Sequence, residues 1–136
     1  MLLFRPTGLT EIRLVAESNW RAWPPRLPDQ PIFYPVLTLE YARKIARDWN
    51  SVDSFSGYIG FVTQFELDDQ YASQFQVHTA AGRSHQELWI PARRLDEFNQ
   101  HIVGQIRPIE TFPGPNFNEP VDPETNLPQC LGPTPV

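Results

Sequence analysis

The distribution of proline limits this chain more than any other feature of its sequence. Of its fifteen prolines, seven are spread from Pro6 to Pro91 and eight are crowded between Pro108 and Pro135. Proline lacks a backbone N–H and holds φ fixed, so it is kept out of helix interiors and central strands. The run Trp20-Arg21-Ala22-Trp23-Pro24-Pro25-Arg26-Leu27-Pro28 is therefore a stiff aromatic loop. Such a loop is ordered by burying its tryptophans, either as plugs of a small core or as the wall of a pocket. Past Phe112 the prolines alternate with Asn, Glu and Asp, a composition that cannot bury enough apolar surface to fold alone. It wraps the domain in extended form or stays mobile. The expected organisation is one domain over residues 1–112 and a Pro-rich tail over 113–136. With 136 residues and 40% of them hydrophobic, the chain supplies one core and not two.

Between the prolines the pattern alternates in kind. Leu2-Leu3-Phe4-Arg5 reads as a strand stopped by Pro6. Thr10 then caps a short helix with Glu11 in its first turn and Leu9, Ile12, Val15 and Ala16 at helical spacing. Residues 32–37 form a second strand with Pro35 at an edge or bulge. The clearest helix follows: Thr38 caps it, Glu40 sits in the first turn, and Tyr41, Ala42, Ile45, Ala46 and Trp49 form an apolar stripe opposite Arg43, Lys44, Arg47 and Asp48. Tyr58 to Leu67 alternates as a long strand, with a turn or one helical turn after it from Asp68 to Ala72. Phe75 to His78 and His85 to Ile90 read as strands joined through Ala80-Ala81-Gly82-Arg83, which sets His78 facing His85. Pro91 opens a helix that buries Leu95, Phe98 and Ile102 and ends at Gly104, and residues 105–112 are the last strand. This order predicts an α+β fold with a mainly antiparallel sheet and two or three short helices.

Charge and cysteine content narrow the function. A net charge of −5 argues against nucleic acid as the main partner, since neutralising phosphates needs excess Lys and Arg. Single Cys130 makes no internal disulfide, and no apolar run approaches the roughly 20 residues of a membrane span. A cytoplasmic protein is expected. There is no Gly-rich phosphate loop and no serine nucleophile elbow, and His78, His85, Glu87 and His101 lack the spacing of a metal site.

One group is placed as if for chemistry. In His85-Gln86-Glu87-Leu88-Trp89-Ile90-Pro91, strand alternation puts His85, Glu87 and Trp89 on one face and Gln86, Leu88 and Ile90 on the other. A carboxylate among aromatics can have its proton affinity tuned by burial and neighbours. The plainer reading is an acid that faces water or pairs with an arginine.

The order of an early strand with Arg5, a Phe33-Tyr34-Pro35 strand feeding the Tyr41-Ala42 helix, and a late strand bearing Glu87 resembles the ADP-ribosyltransferase fold. More closely, the runs Phe4-Arg5-Pro6, Trp23-Pro24-Pro25-Arg26-Leu27-Pro28, Gln30-Pro31-Ile32-Phe33-Tyr34-Pro35-Val36, Ile45-Ala46-Arg47-Asp48-Trp49-Asn50 and Glu87-Leu88-Trp89-Ile90-Pro91 resemble a small bacterial family labelled ADP-ribosylation/J-type crystallin. That resemblance spans residues 2–112. It implies NAD as substrate: Arg5 steadies its ribose or phosphate, Tyr34 or Tyr41 supports the nicotinamide side, and Glu87 holds the ribose 2′-hydroxyl as the catalytic acid. Trp23 and His85 join them as pocket residues, beneath the aromatic loop and beside Glu87. The fold's Gln/Glu-x-Glu pair appears here as His85-Gln86-Glu87, which supplies no second acid to activate a protein acceptor.

Two functions are compatible with these features. One is a transferase-like domain binding NAD or an ADP-ribosyl group. The other is a non-catalytic interaction module, such as an immunity or accessory protein, that meets a protein partner through its acidic surface or its extended tail.

Overall fold

A computed structural model describes residues 1–79 and 85–131. In chain order its elements are β1 (Leu2–Thr7), α1 (Leu9–Glu17), β2 (Ile32–Phe33), α2 (Leu39–Asp48), β3 (Ile59–Leu67), the single turn α3 (Asp69–Ala72), β4 (Val77–Thr79), β5 (Gln86–Leu88), β6 (Ile90–Pro91), α4 (Leu95–Gln100), β7 (Ile102–Pro113), β8 (Val121–Asp122) and β9 (Leu127–Pro128). Every strand pair is antiparallel, and the architecture is α+β. Strand β3 is the centre of a three-stranded sheet ordered β1-β3-β7. Single bridges from Phe4 to Val36 and from Val36 to Glu87 carry the sheet sideways to β5.

Alternation along β3 builds the core. Ile59, Phe61, Phe65 and Leu67 are all buried, on the face the sequence assigns them. Around Phe65 lies an aromatic cluster: Trp23 is 5.5 Å from Phe65 and 5.6 Å from Phe33, and Phe98 is 5.5 Å from Phe33. Each such ring contributes about 2–3 kcal/mol by leaving water, so Trp20 and Trp23, both buried, act as core plugs. The backbone of Trp23 is clipped in turn by Asn99 of α4. Its N–H donates to Asn99 Oδ1 and its carbonyl accepts from Asn99 Nδ2, each at 2.9 Å. That clip fixes where the proline-rich loop leaves the core.

Several local expectations give way to tertiary structure. Strand β1 runs through Pro6 to Thr7, because β1 is the edge of the three-stranded sheet and the missing N–H breaks no ladder there. Helix α1 is capped by Gly8, not Thr10. A Cβ at Gly8 would lie 2.5 Å from Ser56 Cα, so only glycine permits this contact between the start of α1 and the segment after α2. The expected strand over 32–37 shrinks to Ile32–Phe33 plus the bridge at Val36. Pro91 ends β6 and caps a single 3-10 turn over Ala92–Arg94, so it stands just before the first helical position and not at it, and α4 itself begins at Leu95. Gly104 does not close α4 but sits inside β7 at φ 76°, where the register against β3 shifts between Gln64 and Glu66. Two steps on β3 here match four on β7, from Arg107 to Val103, and a glycine helps absorb the two extra residues of this bulge, which is why β7 starts at Ile102 and not at residue 105. His78 pairs across the ladder with Glu87 instead of His85. The link expected at residues 80–83 lies outside the described residues.

After Pro113, residues 114–131 fold back on the domain. The β8–β9 hairpin buries Leu127 in the main core, and Phe117, Val121 and Leu131 pack against it. No helix among the described residues is long and apolar enough to cross a membrane.

Candidate functional site

A cleft of about 620 Å³ opens where β1, the start of α1, the proline loop, α2 and β5 meet. Arg5, Pro6, Thr7, Glu11 and Arg26 line its floor, Leu14 with Pro24, Pro25 and Leu27 one side, and α2 with the segment after it the other. The helix supplies that side through one edge. Tyr41, Ile45 and Trp49 recur at i, i+4 and i+8 and line the cleft, whereas Ala42 and Ala46 turn into the buried cluster with Phe4, Val36 and Val62. The apolar stripe read from the sequence is thus divided between core and cleft, and Trp49 is 59% exposed.

Three carboxylates line the cleft, Glu11, Asp53 and Glu87, and the surroundings of Glu11 and Glu87 differ. Glu11 accepts from Arg5 Nε and Nη2 at 2.9 Å each, from Arg26 Nη1 at 3.3 Å, and from the Thr7 hydroxyl. Burial pushes its carboxyl up, but the Arg5 charge, the bonds from Arg5 and Thr7 and the Arg26 charge together bring it below the usual value. Both guanidiniums rest on aromatic rings: Arg5 Cζ lies 4.6 Å from the Phe33 centroid and Arg26 Cζ 5.9 Å from it. Burial and the Arg5 charge hold the Arg26 guanidinium below its ordinary value. Its Nε is buried without a partner. Two cations against one carboxylate leave the floor locally positive, with several guanidinium donors not engaged by Glu11.

Glu87, by contrast, is held by neutral donors. Tyr41 Oη donates to Oε2 at 3.1 Å and Trp89 Nε1 to Oε1 at 2.8 Å. Burial and the Glu87 carboxylate raise the Tyr41 phenol above its usual value, so it stays protonated and donating. A carboxylate has about four acceptor positions, and these two bonds leave room for a ligand hydroxyl. Around it, His85 packs on Tyr41 with ring centroids 4.6 Å apart and His78 stacks on Trp89 at 3.8 Å.

Of the residues singled out from sequence, Arg5, Tyr34, Tyr41 and Glu87 line this one cleft. Trp23 lies in the core beneath Arg5, whose Cζ is 5.6 Å from its ring, and His85 touches the cleft only through Tyr41. Sequence reading left out the partnership of Glu11 with Arg26. Glu11 read as an ordinary first-turn acid, and Arg26 as one residue of a stiff loop. Also left out were Asn50, Asp53, Phe55 and Ser56, which close the far end. Among the described residues no group of three or more His, Cys, Asp and Glu could hold a metal ion. No family model, curated protein or solved structure matches the chain.

The rim is apolar. Leu14, Leu27, Tyr34, Trp49 and Phe55 are half of the exposed large hydrophobics among the described residues, and all five line the cleft. A cleft of this volume with a few convergent polar groups is the usual form of a small-molecule site. This one can take a ligand carrying an anionic group, a hydroxyl and flat apolar parts.

Proposed function

We propose that the cleft binds NAD or an ADP-ribosyl group and that Glu87 acts on its ribose. The observation that carries this reading is the positive floor of Arg5, Arg26 and Glu11, in one cleft with a carboxylate held, among the described residues, only by neutral donors, and with Arg26 Nε unpartnered among them. A pyrophosphate suits the guanidiniums, which match phosphate geometry. A ribose hydroxyl suits the remaining acceptor positions of Glu87, and the exposed rings of Tyr34, Trp49 and Phe55 suit the flat ends of a dinucleotide.

The chemistry follows from charge. When the bond from ribose C1′ to the nicotinamide nitrogen breaks, nicotinamide leaves with the electron pair and the sugar becomes oxocarbenium-like. A nearby carboxylate stabilises that centre more than it stabilises intact NAD. Water or another acceptor then adds to C1′ and gives up a proton.

The experiment is a thermal melt with millimolar NAD followed by an assay of nicotinamide release. Mass action stabilises the protein by about 2.7 kcal/mol at a hundredfold excess over Kd, so the melting temperature rises. Arg26→Ala weakens NAD at least about tenfold, since a charge-assisted bond is lost. Glu87→Ala abolishes release while mostly sparing binding. A melting temperature unmoved by NAD overturns the reading. The exposed apolar rim would then favour the second one, in which the same cleft seats a protein partner and performs no chemistry.

A further inference from the structure

The end of the cleft opposite Glu87 contains a hydrogen-bond acceptor with nothing to accept. Asn50 is 4% exposed, lines the cleft, and has a buried Oδ1 without a partner. Which amide atom is left over is decided by its neighbours. Ser56 Oγ donates its single proton to Asp53 Oδ2 at 2.7 Å, because an ionised carboxylate can only accept. Ser56 therefore turns a lone pair toward Asn50, which must answer with its NH₂ at 2.9 Å. The amide is locked, and oxygen is the orphan. A buried acceptor left unsatisfied is costly, so this end is built for an N–H that the protein does not supply.

The surroundings say what carries that N–H. Trp49 and Phe55, on either side of Asn50 in the chain, line the same end and are 59% and 91% exposed. Aromatic faces of this kind stack on heteroaromatic bases. Spacing agrees: Tyr41, which holds Glu87, and Trp49 are two helical turns apart, about 12 Å along the α2 axis. The positive floor lies between the ends, since Arg5 adjoins the Phe4–Val36–Glu87 bridges while Thr7, on the same Glu11, adjoins the Gly8–Ser56 contact.

We infer that the end of the cleft walled by residues 49–56 is a base subsite, which seats adenine against Trp49 and Phe55 and takes its exocyclic amine on Asn50 Oδ1. The inference rests on the NAD reading above and adds to it the orientation of the dinucleotide and a preference for an amino-bearing base. Nicotinamide riboside lies at Glu87, the pyrophosphate over Arg5 and Arg26, and adenine at Asn50.

Calorimetric titration of the whole protein tests it. Nicotinamide hypoxanthine dinucleotide differs from NAD in carrying a carbonyl oxygen where adenine has its amine. It sets one acceptor against another at Asn50, and it binds at least about tenfold more weakly than NAD. Phe55→Ala, a change at a residue too exposed to matter to the fold, weakens NAD by about tenfold and leaves nicotinamide mononucleotide, which lacks the adenine half, unaffected. Equal affinities for the two dinucleotides, or an unchanged NAD affinity in Phe55→Ala, overturn the base subsite while NAD binding itself stands. Absence of any NAD binding overturns both readings together.

Discussion

Glu11 and Glu87 line one cleft and share one side chain, yet they are held in opposite ways. Glu11 is enclosed by two guanidiniums and a hydroxyl, with its side chain 19% exposed. Among the described residues, Glu87 has only the Tyr41 hydroxyl and the Trp89 indole. A carboxylate neutralised by buried cations spends its charge on holding the structure together. One held by neutral donors keeps its charge and its orientation for something else. Sequence context marks Glu87 by its neighbours His85 and Trp89 but shows nothing of the cations around Glu11, which come from residues 5 and 26.

That contrast can be broken most forcefully at Glu11. Glu11→Ala leaves Arg5 and Arg26 facing each other without a counter-charge, and removing one partner of a buried ion pair is strongly destabilising. A loss of about 3 kcal/mol is expected in urea denaturation at neutral pH, the low end of that range because Glu11 keeps some exposure. If the loss is negligible, the two carboxylates are alike and the cluster is not structural.

Acid titration sharpens the same point. The folded carboxyl of Glu11 lies below its ordinary value, so its contribution is fully present above the unfolded value of about 4.3 and disappears as pH falls through the lower folded one. The urea midpoint of the native protein should therefore drop across that acidic window. In Glu11→Gln the part due to this group should be missing, and the two curves converge at the acid end.

Glu87→Gln should do little to the fold, within about 1 kcal/mol, since the amide oxygen can still accept from Tyr41 or Trp89. Its effect belongs to chemistry, where nicotinamide release should be lost. A variant that unfolds like Glu11→Ala would erase the distinction. The smallest effect is expected from Trp89→Phe, which removes one neutral donor from Glu87 and keeps the ring beside His78. NAD affinity should fall by a fewfold in calorimetry, with the denaturation midpoint close to native.

Local signals were read correctly where local physics decides. Thr38 caps α2 by accepting from the Tyr41 N–H at 3.2 Å, and β3 follows its alternation through Ile59, Phe61, Phe65 and Leu67. Glu87 was found because its neighbours in the chain, including Trp89, are also its neighbours in space. The Glu11 cluster was not legible, since Arg5, Glu11 and Arg26 come from a strand, a helix and a loop, and nothing in the spacing of the three announces a meeting. Gly104 misled for a related reason: its positive φ serves a bulge inside β7 just as well as it would end a helix.

By itself, then, the sequence determined the α+β class, the antiparallel pattern, the long central strand, the capped helix and the acid on β5. These depend on spacing within a few residues. Tertiary structure alone decided that Trp23 is core while Arg26 lines the cleft, that residues 114–131 pack back onto the domain, and that Asn50 keeps an acceptor unspent at the far end of the cleft. Burial and charge pairing are sums over contacts between distant segments, and they take a value only once the chain has closed on itself.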